Sequence, residues 1–437
     1  MSIARKVQFH FMKDLGAPVQ MGLQKMLKKK KTRQSSPHLG PPLECAGRLR
    51  EIMMRHYYLA RFSKGAKPVA WVTSGAPVEI LRAFGFYTFY PENHGALCGA
   101  QKKGPDLCSE AEKRGYHPDL CSYARIDLGH AFSGKTPAGR LPRPDLLFCA
   151  NNICQTVLYW YKELSHYWNI PLINFDTPYN FKDIQESDIR YMTRQFEEMI
   201  SELEKISRRK FSSRRFQKVI GYSLEATSAW GRVLETMKNS PAPMTIFDAF
   251  VHMAPIVALR GLPVTVDYYK ILLEELQERV EQGIGGLTNE RKRLMWDNLA
   301  IWFKLRDWSL LFAERGFNIV AATYTNAWAE TIHYLDKESP FESMARAYSL
   351  VILNNNLDHR LKLMEQMIRD YRIDGLIILS IRSCKPYSVG QYDLGRLLME
   401  RLGVKSLNIE TDMTDFRSYS EEQVRTRLEA FFEELEG

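Results

Sequence analysis

The stretch Ile377-Ile-Leu-Ser-Ile-Arg-Ser-Cys384-Lys-Pro-Tyr-Ser-Val-Gly-Gln-Tyr-Asp393 decides how the chain is read. Asp374-Gly375 is a turn signal, and 376–379 is a short apolar run with the look of a strand buried on both faces. Cys384 follows a few residues on, in a loop leading to a predicted helix over 392–402. Such a position lies beyond the carboxyl end of a parallel strand, where open α/β sheets place ligands and chemistry. The following helix and the neighbouring cations Arg382 and Lys385 predict a lowered thiol pKa and a reactive thiolate. The plainer alternative is a buried structural cysteine.

Working outward, the same rhythm recurs. Strands are predicted over 69–73, 87–90, 145–150 and 172–176, then over 293–296, 318–322, 376–379 and 406–409. Helices are expected at 78–84, 154–167, 304–314, 361–371, 392–402 and 421–435. Alternating strands and helices point to doubly wound parallel sheets. Between the two α/β stretches the chain is nearly all helical, with long amphipathic runs over 192–208 and 216–238 and a charge-poor helix over 246–259. The organisation expected is a basic N-terminal arm and helix (1–67), a first α/β domain (68–180), a helical connector (181–290) and a second α/β domain (291–437). A cleft between two sheet edges is a favoured ligand site.

The net charge of +9 is uneven. Residues 1–67 hold fifteen Lys or Arg against three Asp or Glu, or +12, which leaves the rest at −3. Lys28 to Lys31 and Arg33 suit an anionic surface. Without aromatic interleaving or a nucleic-acid motif, a solvated arm or one docked on an acidic partner is preferred, and no nucleic acid is expected. Gln34 to Pro42 reads as a linker. No run reaches the ~20 apolar residues of a membrane span. With no visible secretory signal, the seven cysteines are expected to be reduced thiols in a cytoplasmic protein.

Gly129-His-Ala-Phe-Ser-Gly134-Lys135-Thr136 matches a phosphate-binding loop letter for letter. Function needs a buried strand before it and a helix starting at the lysine. Residues 125–128 make a poor strand, and Pro137, Gly139, Pro142 and Pro144 forbid the helix. ATP is therefore expected to bind another protein. The cysteines say more. Cys121, Cys154 and Cys384 sit at strand or helix ends of the two halves, and three thiols facing one cleft suit a zinc or iron–sulfur centre. The absence of a C-x-x-C pair argues against structural zinc and ferredoxin-type spacing. Cys98 and Cys108 are spare candidates, while Cys45 and Cys149 read as structural. Ser74, Glu79, Glu92, Asn93 and His94 follow the first two strands; each alone reads as a cap.

Thr73-Ser-Gly-Ala-Pro77-Val-Glu79-Ile-Leu-Arg-Ala-Phe-Gly85, Asp119-Leu-Cys121-Ser-Tyr123, Asn151-Asn152-Ile-Cys154, Arg382-Ser-Cys384-Lys-Pro386-Tyr-Ser and Glu410-Thr-Asp412-Met-Thr-Asp415 together resemble the 2-hydroxyacyl-CoA dehydratase and benzoyl-CoA reductase family. The resemblance spans about 68–437. Around Tyr90-Pro-Glu92-Asn-His94 and Asp119 to Arg125 it lies nearest the B-type subunit of the ATP-dependent benzoyl-CoA reductases. It implies two Rossmann-like halves and a 4Fe–4S cluster held by Cys121, Cys154 and Cys384. Also implied are a homologous second cluster-binding subunit, and an ATP-hydrolysing activator taking electrons from ferredoxin. The implied reaction is single-electron dearomatisation of an aromatic acyl-CoA to a cyclic dienoyl-CoA, in anaerobic aromatic degradation. Ser74, Glu79, His94 and Gln391 are the candidates for orienting substrate or delivering protons. Tyr387 and Gln391 either cap the next helix or face the substrate. Three other readings stay open: dehydration of an (R)-2-hydroxyacyl-CoA, a reductase with a double-cubane cluster, which needs about six thiols in one cavity, and a non-catalytic electron-transfer or assembly subunit.

Overall fold

The computed structural model describes residues 2–28, 36–330 and 334–437. Strands β1 (Val69–Val72), β2 (Tyr87–Phe89), β3 (Leu146–Ala150) and β4 (Leu172–Phe175) form one sheet in the order β2-β1-β3-β4. Strands β5 (Lys292–Asp297), β6 (Phe317–Ala322), β7 (Gly375–Ile381) and β8 (Lys405–Thr411) form another in the order β6-β5-β7-β8. Every pairing is parallel. The two halves are thus α/β units built to one plan, two Rossmann-like doubly wound sheets. Every residue of β1 and β3 is buried, because crossover helices cover both faces of such a sheet.

In this order the chain steps outward from the first strand to the second and returns to the third on the other side. A crevice therefore opens at the carboxyl ends of the first and third strands of each half. Ser74 follows β1, Cys154 follows β3, Asn298 follows β5 and Cys384 follows β7. The fold brings these four loop positions to the two crevices.

Several local expectations need correction. Between β2 and β3, where periodicity predicts no helix, stand the helices Pro91–Ala100, Gly104–Glu112 and Ser122–Ser133. The phosphate-loop look-alike dissolves in the last of these: Gly129 lies inside it, and Gly134 ends it at φ 71°. A Cβ on Gly129 would stand 2.0 Å from the Leu107 carbonyl oxygen, so this glycine lets two helices touch. The helix expected over 246–259 is two, Ile246–His252 and Ala254–Leu259, the second restarting with Pro255 in its first turn, where a missing N–H costs nothing. The expected linker is pinned to the body over its described part. Gly40 N donates to Gly286 O at 2.8 Å, and Leu39 bridges Leu287. The lysine run at 29–31 and Arg33 lie outside the described residues.

The second half is held at its crevice by one buried carboxylate. Asp297, the last residue of β5, accepts from Thr323 Oγ1 at 2.8 Å, from Arg360 Nη2 at 2.6 Å and from Gln391 Nε2 at 3.0 Å. Both ionic partners are buried. Removing one partner of such a pair strands the other charge without water. Arg360→Met is predicted to destabilise the fold by about 3–5 kcal/mol, read as a lower urea midpoint at an unchanged slope. The double replacement Asp297→Leu/Arg360→Met should recover part of that loss.

Candidate functional site

Between the two crevices lies a cavity whose wall includes Cys121, Cys154 and Cys384, with Ser74, Glu79 and Glu92. Each cysteine stands at the residue before a helical segment: Ser122–Ser133, Gln155–Trp168 and the short turn Lys385–Ser388. At Cys154 a backbone N–H just inside the segment points back at the sulfur. Thr156 N donates to Cys154 Sγ at 3.2 Å. Backbone N–H groups of Ala124 and Tyr123 bear on Cys121, and that of Tyr387 on Cys384.

Burial nevertheless dominates at Cys121 and Cys384. It raises the Cys121 thiol well above its ordinary value, with negative charge on Cys384 and Cys154 adding to the effect. Cys384 is pushed up to about 12, again by burial first. The expectation of a lowered Cys384 pKa is therefore reversed. The cations invoked for it are turned away, since Arg382 Nε pairs with Asp119 Oδ1 at 2.8 Å and Lys385 Nζ donates to Arg382 O at 2.7 Å.

The loops that carry the cysteines are locked to one another. Asn152 Nδ2 donates to Gly75 O and to Tyr348 O, both at 2.9 Å. Gly75 is required there, because a Cβ would stand 2.7 Å from Asn152 Oδ1. Ser122 N, next to Cys121, donates to Ser383 Oγ, next to Cys384, at 3.3 Å. Ser383 in turn donates to Asp412. Asp415 accepts from Arg125 Nη1 at 2.9 Å across the two halves. The 410–415 motif is accordingly a clamp between cysteine loops. It does not line the cavity except through Met413.

The acids differ in kind. Glu79 is fully buried and accepts from Ser223 Oγ at 2.7 Å, Arg260 Nε at 3.0 Å and Tyr348 Oη at 2.6 Å. It is saturated. Glu92 Oε1 accepts from Ser74 N at 3.0 Å and Ser74 Oγ at 3.3 Å, whereas Oε2 has no hydrogen-bond partner. Burial pushes its pKa up to about 7, against the opposing pull of the Ser74 N–H.

Of the four residues expected to handle substrate or protons, Ser74 and Glu79 line the cavity, and His94 and Gln391 are absent from its lining. His94 Nε2 lies 2.8 Å from Thr136 Oγ1 and 3.4 Å from Cys98 Sγ, and burial lowers its pKa to about 3. Gln391 is spent on Asp297 and on Leu379 O at 2.9 Å, while Tyr387 lines the cavity. Glu92 passed in the sequence as one polar neighbour among several. Its only local signal, an acid in a first helical turn after Pro91, is that of an ordinary cap. Cys98 and Cys108 pack together against Leu107 and Ile126, so three cysteines among the described residues line the cavity, short of the six a double-cubane centre requires.

A family model described as 2-hydroxyglutaryl-CoA dehydratase, D-component, matches residues 73–435. The chain belongs to this family. The dehydratase-family body begins just before Ser74 and includes all three cysteines, leaving the N-terminal arm outside the match. The chain is 36% identical over 373 residues to the (R)-2-hydroxyisocaproyl-CoA dehydratase alpha subunit of Clostridioides difficile, covering 85% of this chain and 90% of the relative. It is 33% identical over 388 residues to the (R)-phenyllactyl-CoA dehydratase alpha subunit of Clostridium sporogenes, covering 88% and 94%. Against the B-type benzoyl-CoA reductase subunit of Thauera aromatica it is 30% identical over 384 residues, covering 84% and 89%. The nearer likeness expected to the reductase subunit is therefore exceeded by two dehydratase alpha subunits. These relatives are named as subunits. No helix among the described residues of this dehydratase-family chain is long and apolar enough to cross a membrane.

The raised Glu92 pKa has a consequence for stability. Between the ordinary carboxyl value of 4.5 and about 7 the folded form holds a proton that the unfolded chain has released. The contribution is full below the lower value and is lost as pH rises through the upper one. Wild-type stability should fall by up to about 3 kcal/mol across that window. Glu92→Gln should remove this part of the slope in urea titrations run at several pH values.

Proposed function

We propose that this chain is the cluster-bearing catalytic subunit of an enzyme that removes water from a 2-hydroxyacyl-CoA with an apolar side chain. The observation that carries the reading is one cavity lined by three helix-start cysteines together with a carboxyl that has one oxygen free. The donor set fits an iron–sulfur centre. Among the described residues no three His, Cys, Asp or Glu side chains converge on a single ion. A polynuclear centre takes each thiolate on a different metal atom, so it does not need that convergence. Metal charge would deprotonate Cys121 and Cys384, which burial otherwise keeps neutral. Bound by Cys121, Cys154 and Cys384, a 4Fe–4S cluster would supply single electrons and one iron without a protein ligand.

The chain's own groups perform the rest. Glu92, whose pKa lies at about 7, gives its proton to the departing hydroxyl oxygen, so that the C–O bond breaks with loss of water, and the carboxylate so formed takes the proton lost from the neighbouring carbon as the double bond forms, which restores the acid. Ser74 holds the other carboxyl oxygen and fixes the direction of that transfer. Trp160, Leu299, Tyr324, Trp328 and Tyr387 make walls that exclude bulk water around the thioester. Arg260 is the cation in the described lining, and it is committed to Glu79, Tyr348 and Ala76 O. A second carboxylate on the acyl group would find no free positive partner there, so aliphatic and aryl side chains are favoured. In the proposal a homologous subunit carries a second cluster, and an ATP-hydrolysing activator reduced by ferredoxin delivers the electron.

Reduction of an aromatic acyl-CoA is the second reading, favoured by the aromatic walls and by the likeness to the Thauera protein. Reductant use separates the two, because dehydration recycles its electron and ring reduction consumes two. Anoxic co-production with the partner subunit should give a chain containing iron and acid-labile sulfide. Single Cys→Ser changes at 121, 154 and 384 should lower the iron content, and Cys149→Ala, inside the sheet, should not. Iron retained in all three Ser variants sinks the cluster assignment. Glu92→Gln should cut kcat by about 10²–10⁴-fold with little change in KM. Turnover of (R)-2-hydroxyisocaproyl-CoA or (R)-phenyllactyl-CoA with catalytic reductant supports dehydration. Stoichiometric reductant consumption with benzoyl-CoA supports the second reading instead.

A further inference from the structure

A second cavity, of about 470 Å³, opens at the amino ends of β1 and β2, whereas the cysteine cavity lies towards the carboxyl ends of the strands. The two share no lining residue. Lys13, in the π-helical turn Met12–Gly16, and Met21, in the helix Ala17–Lys28, close the second cavity from the N-terminal arm. Arg48 and Arg55 line it from the helix Ala46–Ser63, and Lys67, Arg82 and Tyr87 from the first α/β half. Most of the lining precedes residue 73, so the cavity lies largely outside the match to the family. Nothing in the proposed reaction uses it.

The lining is cationic and not neutralised. Lys13, Arg55, Lys67 and Arg82 have no Asp or Glu at ion-pair distance among the described residues, and Glu51, the one acid in the lining, meets Arg48 at 3.5 Å. Arg82 spends Nη2 on Ala258 O at 2.8 Å, and its Nε is buried without a hydrogen-bond partner. Arg55 Nη2 donates to Lys13 O at 3.3 Å, a neutral carbonyl that leaves both charges unbalanced. Arg209 adds another cation close by: Gly85 lines the cavity at φ 77°, and a Cβ on it would collide with Arg209 Nη1. Burial first, then the charges of Arg82, Lys13 and Arg209, hold the Lys67 pKa below its ordinary value. His56 adds no charge, because burial lowers its pKa to about 3. Gathering like charges in a recess costs stability, and a bound anion returns it.

We infer that this cavity binds a nucleoside di- or triphosphate, held between the arm and the first sheet at a site separate from the cysteine cavity. Four cations call for an occupant with several negative charges, more than one carboxylate carries, and guanidinium forks suit phosphoryl oxygens. The cavity is also larger than such an anion. Ile52, Phe86, Leu259, Leu262 and Val264 line the rest of it and offer apolar contact to a base and sugar, as small-molecule sites do. A bare phosphate ion would leave those walls against water. The helix Val78–Ala83 divides the two cavities: Glu79 near its start lines the one with the cysteines, and Arg82 near its end lines this one.

The test is isothermal titration of the full chain, purified with its partner subunit and without the activator, using ADP, ATP and inorganic phosphate in phosphate-free buffer. Wild type should bind ADP or ATP about tenfold or more tightly than inorganic phosphate, because only the nucleotides reach the apolar walls. Arg55→Gln/Lys67→Gln should weaken nucleotide binding by about a hundredfold, the loss of two charge-assisted hydrogen bonds. Lys13→Gln, an exposed change on the arm that leaves the core untouched, should weaken it by about tenfold. Wild type that binds neither nucleotide overturns the inference, and so does nucleotide binding that both variants retain in full. Inorganic phosphate bound as tightly as ADP makes the cavity an adventitious anion site only and overturns it as well. The acyl-CoA KM should be the same in wild type and Lys13→Gln. A KM raised about as much as the ADP Kd would make the cavity a subsite for the substrate's own nucleotide and overturn the separate site. The titrations need no turnover, so they stand whichever reaction the cysteine cavity performs.

Discussion

The structure depends on a carboxylate that has nowhere to go. Glu79 sits at the start of a first-half helix with no exposed surface, and an unpaired buried charge costs far more than folding can spare. Its partners come from elsewhere in the chain: Ser223 and Arg260 from the helical block, and Tyr348 from a second-half helix. Arg260 Nη2 also donates to Tyr348 Oη at 2.8 Å and to Ala76 O at 3.2 Å, so the pairs form one closed network. The network is satisfied only when all three blocks meet, and their meeting shapes one wall of the cavity.

Clamps on the other side complete the enclosure. Asp412 and Asp415 tie the loop after β8 to Ser383 and Arg125, while Asp297 ties β5 to Arg360 and Gln391. Of these groups only Ser383 lines the cavity, and the others do their work next to the cysteine loops. The division has a physical basis. A site that must exclude water is built most readily from apolar walls, with polar clamps one layer behind where hydrogen bonds can be saturated. Glu79, Glu92 and Arg260 stand in the wall itself, and its unpartnered oxygen is what distinguishes Glu92 from the saturated Glu79.

Much of the fold was legible in the chain. Short apolar runs punctuated by turns mark all eight strands, and helical periodicity marks most of the crossovers. The region between β2 and β3 was not legible: its helices are short, two of the three begin at proline or glycine, and local pattern carried little signal. The behaviour of Cys384 was misjudged for a related reason. Proximity of Arg382 and Lys385 in sequence says nothing of where their long side chains point, and both point to other partners. His94 and Gln391 stood at plausible loop positions, but only the packing of Thr136, Cys98 and Asp297 decided that they face away.

By itself the sequence determined the strand-helix alternation, the doubly wound class, the family, and the three cysteines at strand or helix ends, because these follow from periodicity and motif order along the chain. Only the tertiary structure decided that the three helix-start cysteines share one cavity and that Glu79 is saturated while Glu92 keeps one oxygen free. Those properties are set by burial and by partners hundreds of residues away, and neither is written in any local stretch of the chain.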